Sequence, residues 1–313
     1  MTTPWLSVLM PIYNGAATLP RTLASLSGQV EGCEVIAVVQ KSDDGSRSIL
    51  EAHENSLNLR IIDAPESESW MTNTNIALAE AKAPHVTMLH QDDLWRAGRS
   101  AALGEMAATM PDAKMWLHAA EFIDDQDRVV GRFAPPFGSK ASLLPSEEAL
   151  AHLLVQNTVA LPAVMFRRDD ALAPGGLDED LWYTADWDLW LRLAALGPVA
   201  WNPTALAAFR IHSGSLTMTG SRNVGGFRQQ LAIPVDRHIT ALPPEKARKV
   251  GHLAKISNDL NVCLAGAYHG HRVGLWPLGL QILRLGPIGW YRFFRDTNIV
   301  GRVLPRLRLR QKS

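Results

Sequence analysis

Apolar positions in the first third of the chain fall into short runs separated by stretches of helical spacing. Leu6-Ser7-Val8-Leu9-Met10 is a short apolar run stopped by Pro11, and Ala17 to Leu26 repeats at helical intervals. Glu34-Val35-Ile36-Ala37-Val38-Val39 is a second, β-branched run, closed by the polar turn Gln40 to Ser46. A helix near Arg47–Glu54, a strand at Arg60-Ile61-Ile62, a helix near Thr72–Ala81 and a strand over His85–Leu89 follow. That last strand runs straight into Asp92-Asp93. Short apolar strands alternating with helices predict βαβ units and a mainly parallel sheet. Ligands of such sheets lie beyond the carboxyl ends of the strands. The clusters Pro11-Ile12-Tyr13-Asn14, Gln40 to Ser46 and His90 to Asp93 are therefore expected to converge on one crevice.

The pattern then becomes less regular. Lys114 to Arg132 predicts a strand, a turn at Asp124-Asp125-Gln126-Asp127 and a return strand. Ser146 is placed to cap a helix reaching about Val155, with Glu147 and Glu148 favourable in its first turn. Ala163-Val164-Met165-Phe166 reads as a buried strand, and Thr184 to Leu193 opens a helix that ends near Gly197-Pro198. Ala205 to Ile211 is a further strand, leading to His212. Beyond about Val224 the chain is helical, first polar and then basic and aromatic.

Composition narrows the classes. A hydrophobic share of 47% with 20% charged residues fits a packed α/β core and excludes disorder. Cys33 and Cys263 are too few for a disulfide-stapled secreted fold or a four-ligand zinc site, so a reducing, cytoplasmic setting is expected. The start carries no basic, signal-like region, and no apolar stretch reaches the ~20 residues of a membrane span. The zero net charge hides an asymmetry. From Arg284 onward, Arg284, Arg292, Arg295, Arg302, Arg306, Arg308, Arg310 and Lys312 face only Asp296. That points to an anionic surface as partner of the tail, not to nucleic acid.

Three positions could carry chemistry. Two carboxylates at a strand end, Asp92 and Asp93, suit a hard divalent cation bridging a diphosphate; the same pair also suits a turn that caps the following helix. Asp186 opens an amphipathic helix, as an N-cap or as a general base facing a cleft. Asp188 and Arg192 have the i,i+4 spacing of a surface ion pair. His212 fits a structural hydrogen bond or a neutral metal ligand. Ser215 and Thr217 suit either phosphate contact or a turn.

Order and spacing add a resemblance. Val8-Leu9-Met10-Pro11-Ile12-Tyr13-Asn14 resembles the opening strand and Pro-x-Tyr-Asn turn of the family 2 glycosyltransferases. His90-Gln91-Asp92-Asp93-Leu94-Trp95 resembles their Asp-x-Asp-Asp motif, and Thr184 to Arg192 their acidic base motif. Phe209-Arg210-Ile211-His212-x-x-Ser215 is similar to the Arg-x-His segment that closes the domain. The likeness runs from about Leu6 to Thr217. It implies a GT-A fold over residues 1–222, with a nucleotide-sugar half to about 112 and an acceptor half from about 113. A helical, basic appendage would occupy 223–313. It further implies that Pro11, Tyr13 and Asn14 border the nucleotide, with Gln40 and Asp44 on the facing loop. Asp92 would be the principal metal ligand, joined by His90 or His212, and Asp93 would orient sugar or phosphate. Asp186 would be the base of an inverting displacement that uses Mn2+ or Mg2+.

Two positions depart from the family pattern, Gln40 and His90 standing where acids are usual. They motivate an alternative, a non-catalytic nucleotide-sugar-binding or scaffold protein on the same fold. A nucleotidyltransferase is disfavoured, because Pro11 to Ala17 holds one Gly and no Lys for a triphosphate loop. The expected partners are a nucleotide-sugar donor and a saccharide or lipid-linked acceptor, in surface-polysaccharide or glycolipid synthesis. In the tail, Trp276, Ile282, Leu283, Leu285, Ile288, Trp290, Tyr291, Phe293 and Phe294 interleave with arginines. That mixture suits a helix lying peripherally on an anionic leaflet, or apolar residues packed on the catalytic domain with solvated arginines.

Overall fold

A computed structural model describes residues 3–212, 221–271 and 275–310; Ser215 and Thr217 lie outside them. Among the described residues one ten-stranded mixed sheet has the order β3-β2-β1-β4-β9-β6-β10-β5, with β7 beside β6 and β8 beside β10. Its strands are β1 (Leu6–Ile12), β2 (Cys33–Val39), β3 (Leu59–Asp63), β4 (His85–Met88), β5 (Leu94–Trp95), β6 (Met115–Ile123), β7 (Val129–Phe133), β8 (Ser142–Leu144), β9 (Val164–Arg167) and β10 (Val199–Arg210).

β3, β2, β1 and β4 run parallel, as do β6 and β10, while β9 lies antiparallel between β4 and β6. The helices of the first half are α1 (Leu19–Leu26), α2 (Ser46–Glu51), α3 (Trp70–Glu80) and α4 (Arg99–Thr109). Both faces of the sheet are covered, which is why its strands read as unbroken apolar runs. On β1, Val8, Met10 and Ile12 pack with Leu19 and Leu23 of α1, whereas Leu9 packs with Ala77 and Leu78 of α3 on the other face.

β1 continues through Pro11, where the sequence pattern predicts a stop. Leu9 O accepts from Leu89 N, and Ile12 O accepts from Gln40 N. Successive residues face opposite neighbours, so Pro11 faces the β4 side, where pairing has already ended. Its missing N–H therefore costs no ladder bond.

The second half is built on α5 (Ser146–Val155), α6 (Arg168–Leu172) and α7 (Ala185–Leu196). Pro145, not Ser146, is the residue ahead of α5; the Ser146 hydroxyl instead donates to Ala194 O at 2.6 Å, tying α5 to the end of α7. α7 is buried on most sides, and Trp187 Nε1 donates to Leu153 O at 2.7 Å. The Asp188–Arg192 pair forms at 2.9 Å, but in the interior: Asp188 is buried and also meets His238 Nε2 at 2.9 Å. β10 starts at Val199, earlier than its apolar pattern shows, because Asn202 and Pro203 interrupt the run at a register shift against β6.

α8 (Val224–His238), α9 (Pro244–Tyr268), α10 (Leu275–Arg284), α11 (Gly286–Thr297) and α12 (Ile299–Arg310) complete the chain. α9 packs on α5, and Phe227, Leu231, Leu253, Ile256 and Phe293 join the core cluster of α5 and α7. Among the described residues no helix is long and apolar enough to cross a membrane.

Candidate active site

The parallel register places the carboxyl ends of β1, β2, β4, β6 and β10 along one edge of the sheet. Because β9 and β5 run the other way, their first residues lie at the same edge. This edge gathers Asn14, Gln40, Asp92-Asp93, Asp124 to Asp127, Asn157 and Arg210 to His212.

The loops after β1 and β2 are locked together by polar side chains. Asn14, at φ 47, donates its N–H to Ser42 Oγ at 3.0 Å, and its Oδ1 accepts from Asp43 N at 3.3 Å. Asp44 accepts from Ala16 N at 2.8 Å and from Ser46 N and Oγ. These bonds outweigh the opposing effect of burial and lower the Asp44 carboxyl. Asp44 thus shapes the site. Tyr13 is 53% exposed at the rim, whereas Pro11 is buried within β1. Gln40 is partly exposed, with its side chain at the end of β2. Gln91 bridges across: its Oε1 accepts from Tyr13 N at 2.8 Å, and its Nε2 donates to Tyr13 O at 2.7 Å. Gly15 lies under this bridge, and a Cβ there would meet Gln91 Oε1 at 2.5 Å.

The two aspartates diverge. Asp92 Oδ2 lies 3.3 Å from His212 Nε2, both side chains being about a third exposed (28% and 32%). Burial would raise the Asp92 carboxyl, but the bond to His212 and the charges of His90 and His212 hold it below its ordinary range. Asp93, expected to orient sugar or phosphate, is buried. Its Oδ1 accepts from Arg210 N at 3.0 Å, and its Oδ2 is buried with no partner among the described residues. Burial and the neighbouring Asp92 charge push its pKa well up. His90 packs edge-on against Trp70 at 5.2 Å, with Nε2 buried and no partner for it among the described residues. Among the described residues no three His, Cys, Asp or Glu side chains form a metal-holding group.

Arg210 fastens this edge. It is buried, and its Nε donates to Asp92 O at 2.8 Å while its other nitrogens donate to Asp124 O and Asp127 Oδ1. Asp127 also pairs with Arg21 of α1 at 3.0 Å. Lysine has no planar fork to reach three acceptors. Arg210→Lys is expected to destabilise the fold by about 2–4 kcal/mol, read from urea unfolding; a change below about 0.5 kcal/mol would show that the hub is dispensable.

Asp186 sits in the first turn of α7, after the N-cap Thr184. Its Oδ1 accepts from Trp187 N at 2.7 Å and its Oδ2 from Asn157 Nδ2 at 3.0 Å. Burial outweighs these bonds and raises its pKa to about 6. A carboxylate titrating there is suited to accept a proton near neutral pH. Asn157 carries no signal in the sequence beyond being polar between the apolar end of α5 and a buried strand.

Residues 7–114 match the family model described as Glycosyl transferase family 2. An uncharacterized glycosyltransferase of Rickettsia typhi is 24% identical over 220 residues, covering 69% of this chain and 67% of that protein. An uncharacterized protein of Mycobacterium tuberculosis is 28% identical over 236 residues, covering 71% and 72%. Among solved structures, S. aureus TarS 1-349 in complex with UDP-GlcNAc superposes with a TM-score of 0.63 at 17% identity, covering 93% of this chain and 79% of that one. The mannosyltransferase PcManGT from Pyrobaculum calidifontis, in complex with GDP-Man and Mn2+, gives 0.60 at 16% identity, covering 97% and 87%.

Proposed function

Since the chain belongs to glycosyl transferase family 2 and has its GT-A fold, we propose that it is an inverting, metal-dependent hexosyltransferase acting on an acceptor hydroxyl. The observation that carries this reading is Asp186, its pKa raised to about 6 by burial and its carboxylate bonded to Asn157, a residue of the edge that also carries the Asp92–His212 pair. The donor is a nucleotide sugar, bordered by the loops of Tyr13, Asn14 and Gln40. Residues 1–222 form the catalytic domain in this reading and 223–313 its helical appendage.

Asp92 and His212, 3.3 Å apart, would hold the divalent cation through a carboxylate oxygen and an imidazole nitrogen. Bound there, Mn2+ or Mg2+ would offset the charge of the departing diphosphate. Asp186, held by Asn157 and Trp187 N, receives the acceptor proton as the hydroxyl attacks. Buried Asp93 anchors the turn that carries Asp92.

The acceptor in this proposal belongs to surface-polysaccharide or glycolipid synthesis, met at the cytoplasmic face of a membrane. The outward apolar and basic side chains of α10 and α11 support that setting. Trp276, Leu283, Ile288, Tyr291 and Phe294 are all more than half exposed, with Arg284 and Arg292 also exposed.

Thermal unfolding with UDP- and GDP-sugars, with and without Mn2+, tests the reading. One nucleotide sugar should raise the midpoint with the logarithm of its concentration above its dissociation constant, and more with metal. Absence of any shift across the panel, together with no transfer, would remove the proposal.

A further inference from the structure

Two arginines on α12 carry charge that no carboxylate meets among the described residues. Arg302 Nη1 donates to Thr297 O at 3.3 Å and its Nη2 to Asn261 Oδ1 at 2.8 Å. Arg306 Nη1 donates to Arg302 O at 2.6 Å, and its guanidinium lies over the Phe122 ring at 5.3 Å. Every one of these partners is neutral. Residues outside the described set include no Asp or Glu. Both residues are partly exposed. Burial, with the second arginine's charge acting on it, lowers Arg302 to about 10; burial lowers Arg306 as well. Both stay cationic at neutral pH.

The helix that carries them packs against β7, and Arg306 lies over Phe122 of β6. Phe122 lies near the carboxyl end of β6, at the edge that holds Asp92 and Asp124. A hydrogen-bond chain leads from the arginines to the base. Arg302 meets Asn261, whose Nδ2 donates to Gln156 Oε1 at 2.7 Å. Gln156 Nε2 donates to Asn157 O at 3.4 Å, and Asn157 donates to Asp186. Tyr183, three residues before Asp186, feels the charges of Arg302, Arg306 and Asp186 together.

Two close guanidiniums held among neutral groups are unfavourable without a counter-ion, and their planar forks match phosphate and carboxylate oxygens. We propose that Arg302 and Arg306 form an anion subsite for the acceptor, receiving a phosphate or carboxylate that it carries close to the hydroxyl being glycosylated. The word acceptor rests on the glycosyltransferase reading above; the anion site itself does not.

Calorimetric titration of the full chain with inorganic phosphate and with acetate tests this, in the presence of Mn2+ and saturating UDP or GDP to fill the donor site. Wild type should bind one of the two anions. Arg306→Gln should weaken that binding by about tenfold or more, whereas Arg306→Lys should lose only about threefold, the charge being kept. The nucleoside diphosphate should bind all three proteins alike. The inference falls if neither anion binds wild type, or if Arg306→Gln binds it unchanged. It falls equally if nucleoside diphosphate affinity drops in step, since the arginines would then serve the donor. Failure of the anion with UDP or GDP still bound removes this inference alone; failure of both removes the functional reading too.

Discussion

Asp186→Asn is expected to cut sugar transfer by about a thousandfold while leaving nucleoside diphosphate binding unchanged. Asparagine keeps the size of the side chain and an oxygen for Trp187 N or Asn157, but it cannot take a proton. In wild type, kcat/KM should fall tenfold per pH unit below about 6, where Asp186 becomes protonated, and that limb should vanish in the variant. Stability should move the other way. Folding raises this carboxyl from 3.8 to about 6, so its contribution is fully present below pH 3.8 and is lost as pH rises through 6. At pH 8 the variant should therefore be the more stable protein, by on the order of 1 kcal/mol. A variant with full transfer activity, or a wild-type profile flat from pH 5 to about 8, would remove Asp186 from the role of base.

Asp92→Ala is the second large effect. Its carboxylate is the more accessible of the pair in the turn and faces His212 at 3.3 Å. Removing it should lower kcat/KM by about a hundredfold or more and abolish the response to added Mn2+. Asp93→Ala provides the contrast. Asp93 Oδ1 accepts from the buried Arg210 N, so its loss should appear first as a lower unfolding midpoint. If Asp92→Ala kept its metal response while Asp93→Ala lost it, the two aspartates would have to exchange roles.

The sequence was most readable where one rule governs. Unbroken apolar runs marked β1, β2 and β4, and a parallel sheet then required their polar ends to meet. The start of α7 was also visible, from a polar turn ahead of an apolar helix. Three features were not. Asp92 and Asp93 are chemically identical in a string, and only the β10 backbone, through Arg210 N, separates the buried one from the open one. β10 was cut short because Asn202 and Pro203 look like a loop when the partner strand is unseen. Arginines of the tail read alike, yet Arg292 faces solvent while Arg302 turns toward Asn261. Each of these depends on contacts between residues distant in the chain.

The bridge made by Gln91 has a consequence for what this position tolerates. Beyond Leu9 and Met88 the strands β1 and β4 part, and the Gln91 side chain fills the gap by both accepting from and donating to Tyr13. A side-chain amide thereby stands in for a peptide unit and extends the sheet by one rung without any backbone. The requirement is for an amide of this length. Glutamate has the same reach but nothing to donate when ionised, and asparagine is one methylene short. A position that looks like a variable spacer between His90 and Asp92 is thus bound to one residue type by the geometry of a strand that has already ended.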